Sequence, residues 1–170
     1  MSTTARSFEE FFDDHYDEVR RALAMALADP VLAEDSAQEA FARAYVQWRS
    51  VGKMERPAGW VYVVALRGGR RQRSRRAKAF VPAAEPQPDL IGNVLDREAL
   101  EPLLLQLPER QRIAVVLRYL ADLPLVDVAA AMGCAVGTVK STLHAALARL
   151  RVELNDGDDM FEESWSDATG

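Results

Sequence analysis

Apolar residues in this chain recur three and four positions apart and never settle into the alternation of a strand. That spacing confines the chain to helices packed on helices. Phe8, Phe11, Phe12, Val19, Leu23 and Leu27 share one face of a helix expected near residues 7–28. Asp29-Pro30 then offers a cap and a first-turn proline. A second helix is expected to about Trp48, closed by Gly52, and Arg56-Pro57 opens a third near 57–77. Gly68 and Gly69 weaken that third helix by roughly 1 kcal/mol each, which leaves room for a break or loop.

Pro82, Pro86 and Pro88 then fall within seven residues, the composition of a linker. Asn93 is a candidate cap for a second helical set. Helices are expected near 94–106, 109–121, 125–132 and 136–153, with Pro108 and Pro124 where two of them start. The fold class read from this is all-α. Two small helical domains, 7–78 and 94–154, are joined by a flexible linker at 79–93. Residues 155–170 lack periodicity and read as an acidic tail, expected to be disordered.

Several function classes fall away. The lone cysteine, Cys134, excludes a disulfide framework and any cysteine-based zinc site, and it fits a reducing compartment. The segment MSTTARSFEEFF is acidic and has no apolar core, so it does not read as a signal peptide. No apolar run is long enough to span a membrane, and a cytoplasmic protein is expected. His15 and His144 lie in different domains, and there is no phosphate-cradling glycine motif. No enzyme, metal or cofactor is expected. Cys134 reads as a small buried hydrophobe.

Charge is segmented. Residues 1–40 hold ten acids and three bases, 41–78 one acid and eleven bases, and 152–170 seven acids and no base. The formal net charge of -5 therefore hides a basic block, seven positive residues between Arg67 and Lys78. A partner responds to the local field within about 10 Å, so an anionic partner is implied, and a phosphate backbone is the leading candidate. On a helix, Trp60, Val63, Arg67, Arg70, Arg71 and Ser74 form one stripe. Arginines that hold phosphate beside a ring that stacks on a base suit unpaired nucleic acid. The alternative is a core tryptophan beside a solvated charged face.

The strongest local pattern is LVDVAAAMGCAVGTVKSTLHAALARLR, residues 125–151. Val128, Ala129 and Met132 give a short helix a buried face, and Gly133 supplies a tight turn. Val136, Val139, Leu143, Leu147, Leu150 and Leu154 line a longer helix. Its outer face carries Thr138, Ser141 and Ala145, flanked by Lys140, Thr142, His144 and Arg149. This is the plan of a helix-turn-helix, whose second helix presents side chains to base edges in a major groove. An ordinary helical hairpin is the alternative. Arg110, Arg112 and Arg118 are nearby candidates for phosphate contacts.

The order of these parts resembles the bacterial RNA polymerase sigma factors of the extracytoplasmic-function type. The resemblance covers about residues 7–77 and 94–153. LADPVLAEDSAQEAFARAYVQW is similar to that family's helix for binding core polymerase, which implies that role for Glu34, Asp35, Gln38, Glu39 and Phe41. RPAGWVYVVALRGGRRQRSRR resembles the helix that melts and reads the minus-ten element, implying Trp60, Arg67, Arg70, Arg71 and Arg73 as its DNA contacts. Residues 107–151, with Leu107-Pro108-Glu109-Arg110 and Gly137-Thr138-Val139-Lys140-Ser141, resemble the domain that reads the minus-thirty-five element. Arg112, Thr138, Lys140, Ser141, Thr142 and His144 are the contacts implied there.

The chain departs from the family pattern in places. Ser36 stands where the family prefers a large apolar residue, which is expected to weaken polymerase contact. Gly69 and Gln72 replace an asparagine and an aspartate, and Thr142 and Ala145 replace frequent arginines. The implied function is promoter recognition and transcription initiation, with core RNA polymerase, promoter DNA and an anti-sigma factor as partners. The alternative is a helix-turn-helix regulator, or a sigma-like interaction protein, that does not support initiation.

Overall fold

The computed structural model describes residues 6–79 and 95–155. The expected linker beyond Ala79, the Asn93 cap and the tail beyond Asn155 lie outside the described residues. The first four helices are α1 (Phe8–Leu27), α2 (Pro30–Val46), α3 (Trp48–Val51) and α4 (Pro57–Lys78). The second set is α5 (Leu95–Gln106), α6 (Glu109–Val115), a π-helical turn (Val116–Leu120), α7 (Leu125–Met132) and α8 (Val136–Asn155).

Local chemistry explains most boundaries. Ser7 Oγ accepts the Glu10 N–H while the Glu10 carboxylate accepts the Ser7 N–H, a reciprocal cap that starts α1. Asp29 Oδ1 accepts the Leu32 N–H at 2.9 Å, and Pro30 fills the first position of α2. The expected second helix breaks at Gln47, and a separate single turn, α3, carries Trp48. The stretch expected as one helix over 109–121 widens in its last turn, where Ala121 N–H donates to Val116 O at 2.9 Å.

The expected option of a break at Gly68 and Gly69 is not taken, and α4 runs through both. The seam with α2 gives the reason. A Cβ at Gly69 would lie 2.8 Å from Ser36 Oγ and 3.0 Å from Leu27 Cδ1, so the close approach of the two helices requires glycine. Ser36 is buried in this seam, not displayed on the outer face of α2. The two departures from the family pattern thus face one another.

The two helical sets share one hydrophobic core. Phe11, Leu23, Leu27, Phe41 and Leu66 from the first and Leu104, Ile113 and Leu117 from the second are fully buried. Helix α1 lies against α6 and the π-helical turn, and α4 lies against α7. Burial of such side chains contributes about 1.5–3 kcal/mol each and outweighs any single polar contact.

Arginine stitches the halves together where α1 ends. The last turn of α1 contains no basic residue, and its final carbonyls have no partner within the helix. Arg73 from α4 donates to the Leu27 carbonyl. Arg112 from α6 donates to the Ala26 carbonyl at 3.1 Å and to Leu107 O at 3.3 Å. Both guanidiniums complement the negative end of the α1 dipole.

Candidate functional site

Helix α4 places its basic residues on more than one face, and each face has a different fate. Val61, Tyr62, Ala65 and Leu66 are buried, Gly69 lies against Ser36 and Leu27, and Gly59 lies against Asp127 of α7. On the open side a groove of about 790 Å³ runs between α4 and α2. Trp60, Val63, Val64, Arg67, Arg71 and Arg75 line it from α4, and Ser36, Glu39 and Arg43 line it from α2. Trp60 is half-buried, with Val63 and Val64 beside it. Arg71 and Arg75 are exposed and make no ion pair among the described residues. A groove with an aromatic wall and unneutralised guanidiniums suits a phosphate chain whose bases stack.

Of the five residues expected to face minus-ten DNA, Trp60, Arg67 and Arg71 line this groove, and Arg70 is half-buried beside it. Arg67 and Arg73 are engaged with the second half of the molecule. Arg67 Nη2 donates to the Ala130 carbonyl at 2.8 Å, and Arg73 Nη1 pairs with Glu109 at 2.9 Å. Arg75 and Arg43 were absent from the expected set. Arg75 follows Arg71 by one helical turn, so spacing alone could have found it. Arg43 reaches the groove from another helix, and no local signal marks it.

The α2 residues are arranged differently from the expectation. Phe41 is 1% exposed, packed edge-on against Phe12 and Tyr16 at ring distances of 5.3 Å, so it holds the core and offers no outer face. Glu34 accepts the Tyr16 hydroxyl at 2.7 Å and Gln38 Nε2 at 3.0 Å, and lies 3.6 Å from Arg20 Nε. Burial, first, and this bond to Glu34 push the Tyr16 phenol up to about 12. Asp35 lies 3.7 Å from Arg76, and Glu39 pairs with Arg43. Each acid of this face already has a cation, so a basic partner exchanges ion pairs here instead of neutralising free charge. Gln38, Glu39, Tyr45 and Val46 are exposed alongside.

In the second half, α7 and α8 meet at a bend of 95°, within the 90–120° of helix-turn-helix units. Gly133 closes α7 at φ 66°, a left-handed conformation that glycine adopts without strain. Val139, Leu143, Ala146 and Leu150 point into the core, which leaves Thr138, Lys140, Ser141 and His144 exposed. Thr142 is partly covered, and its hydroxyl donates to the Thr138 carbonyl at 2.7 Å, as Ser141 does at 3.0 Å. Arg112, expected among these contacts, is 8% exposed and committed to the Ala26 and Leu107 carbonyls. Burial pushes its pKa down from that of a free guanidinium. In this conformation Arg112 ties the halves together and does not face the open side of α8. Cys134 is only half-buried in the turn.

No single described helix is long and apolar enough to cross a membrane. Among the described residues no group of three histidine, cysteine or acidic side chains could hold a metal ion.

Comparison with known proteins points one way. Residues 97–150 match the family model described as "Sigma-70, region 4". The chain is 35% identical over 151 residues to "RNA polymerase sigma-E factor" of Streptomyces coelicolor, covering 86% of this chain and 85% of that protein. It is 27% identical to "ECF RNA polymerase sigma factor SigW" of Bacillus subtilis, covering 88% and 90%. Among solved structures, the sigma factor RpoE of Bartonella quintana, in complex with the anti-sigma factor NepR, superposes with a TM-score of 0.72 at 22% identity. That match covers 89% of this chain and 98% of the other, and it shows the shared fold.

Proposed function

This chain belongs to the extracytoplasmic-function RNA polymerase sigma factors, and from that premise we propose how its residues divide the work. It is a transcription initiation factor that binds core RNA polymerase and directs it to promoters. We assign residues 7–78 to binding core polymerase and the minus-ten element. Residues 94–154 form the helix-turn-helix domain for the minus-thirty-five element, with 79–93 between them and the acidic residues 155–170 after. The protein carries out no catalysis of its own.

The observation that supports this most is the pairing of two open nucleic-acid surfaces in one chain. The α2–α4 groove offers Trp60, Arg71 and Arg75, with Arg70 close by on α4. Helix α8 offers Thr138, Lys140, Ser141 and His144. A simple helix-turn-helix regulator has no need of the first. Melted DNA suits the groove because only unpaired bases expose their faces to Trp60. Duplex DNA suits α8, where short polar side chains reach base edges and Lys140 reaches phosphate. Arg67 lines the same groove while donating to the Ala130 carbonyl, and Arg73 is held by Glu109. Glu34, Asp35, Gln38 and Glu39 form the polymerase face, with Phe41 supporting it from behind. The sigma factor RpoE, which shares this fold, is solved bound to the anti-sigma factor NepR, which supports such a protein as a further partner.

Run-off transcription with core polymerase on fragmented genomic DNA tests the assignment. Discrete transcripts should appear with this protein and fall at least tenfold with Glu39→Ala or Arg71→Ala. DNA binding without transcripts would instead favour the regulator that never engages polymerase.

A further inference from the structure

The basic end of α4 carries cations that none of the described helices neutralises. Arg71, Arg75 and Lys78 are exposed and make no ion pair among the described residues. Arg71 and Arg75 line the α2–α4 groove with Trp60, and the Glu39 carboxylate in that groove is already paired with Arg43. Beyond Asn155 the sequence reads DGDDMFEESWSDATG, with six acids, no base and two aromatics four residues apart. A tail that only keeps a protein soluble has no use for Phe161 and Trp165, because such segments are poor in aromatics. Carboxylates pair with guanidiniums as phosphate oxygens do, and an aromatic ring packs on an indole as a base does. The segment from Asp156 to Trp165 therefore combines the anionic and aromatic chemistry of unpaired DNA in one strand.

The fold starts this segment on the right side of the molecule. Leu150 and Val152 at the end of α8 line a cleft of about 430 Å³ together with Leu107. Two residues past Leu107, Glu109 pairs with Arg73 of α4 at 2.9 Å. Helix α8 thus ends beside the corner that the basic end of α4 also touches. Phe161 follows Asn155 by six residues and Trp165 by ten, reaches of about 20 and 33 Å for extended chain. We propose that residues 156–170 dock in the α2–α4 groove of their own chain, with their acids on Arg71, Arg75 and Lys78 and an aromatic ring against Trp60. This rests on the assignment of that groove to minus-ten DNA made above. A tethered segment acts at an effective concentration near the millimolar range, so contacts too weak to hold a free peptide suffice. The seated tail lowers the apparent affinity for single-stranded nucleic acid by the fraction of molecules whose groove is open. Promoter DNA that polymerase also holds displaces the tail, whereas stray single strands compete poorly.

The test uses the full chain with Phe161→Ala and Trp165→Ala, a double variant that leaves the charge unchanged. The readouts are the Trp60 indole N–H resonance by NMR and the affinity for a fluorescent oligothymidine. Docking predicts that the Trp60 resonance moves and that DNA binding tightens at least about threefold. A second variant, Asp158→Asn, Asp159→Asn, Glu162→Gln and Glu163→Gln, should shift the same resonance in the same direction. An unmoved resonance and an unchanged affinity in the aromatic variant would overturn the proposal. Tighter binding in the charge variant alone would overturn it too, because the tail would then act only as a diffuse negative field. Adding Arg71→Ala to the aromatic variant separates this idea from the reading it rests on. If DNA affinity survives that change, the assignment of the groove to DNA fails, while the Trp60 resonance still reports whether the tail is seated.

Discussion

At the scale of single residues, the seam between Ser36 and Gly69 is the clearest example of a sequence oddity that has a packing cause. Each looks like a defect alone: a polar residue on an apolar helix, and a glycine within a helix. Together they let α2 and α4 approach closely. Ser36 Oγ is buried and has no hydrogen-bond partner among the described residues. Gly69→Ala should destabilise the fold by about 1–3 kcal/mol through overpacking, despite alanine's better helix propensity. Ser36→Ala alone should be near neutral or stabilising, because it removes an unsatisfied oxygen, and it should partly rescue Gly69→Ala. Urea titrations of the four proteins in this cycle measure the coupling. His15 is a second case. Desolvation first, then the Arg6 charge, lowers its pKa below 6.5. The folded state therefore binds protons less readily than the unfolded chain, and stability is lost as pH falls below about 6.5. Unfolding midpoints of His15→Gln should fall less between pH 7 and 5.5 than those of the parent.

At the scale of elements, the helices begin and end where capping chemistry tells them to. Asp29-Pro30, Pro57, Pro108, Pro124 and Gly133 were all legible in the sequence because caps act within a turn of themselves. What was not legible was the break at Gln47 and the widened turn at 116–120, where packing sets the hydrogen-bond pattern. The Gly133 turn gives a sharp test. No atom lies within 4 Å of a Cβ built there, so a substitution meets strain and no clash. Gly133→Ala should cost about 1–2 kcal/mol from the left-handed backbone alone. Gly133→Asn should cost less, because asparagine tolerates that conformation. Differential scanning calorimetry distinguishes the two.

At the scale of the whole molecule, the second set of helices completes the first. The carbonyls that end α1 have no cation of their own and receive Arg73 and Arg112 from elsewhere. Arg112→Met keeps the apolar stem but leaves the Ala26 and Leu107 carbonyls without this donor. It should destabilise the protein by roughly 1–3 kcal/mol and loosen the two halves together. Thermal unfolding followed by circular dichroism, with scattering on the same sample, checks both effects.

The sequence by itself determined the all-helical class, the helix starts marked by caps and prolines, the basic block and the small polar face of α8. Each of these depends on neighbours within a turn or two, and the order of the parts carries the family. Only the tertiary structure decided which arginines are open. Arg71 and Arg75 face a groove, Arg67 lines it while holding the Ala130 carbonyl, Arg73 pairs with Glu109, and Arg112 is sealed inside, although all five look alike in one dimension. The same holds for Phe41, which matches a partner-binding pattern and yet lies in the aromatic core. Helical periodicity states which face a residue occupies, but it does not state what covers that face. That depends on contacts between residues far apart in sequence, whose energies only the folded chain brings together.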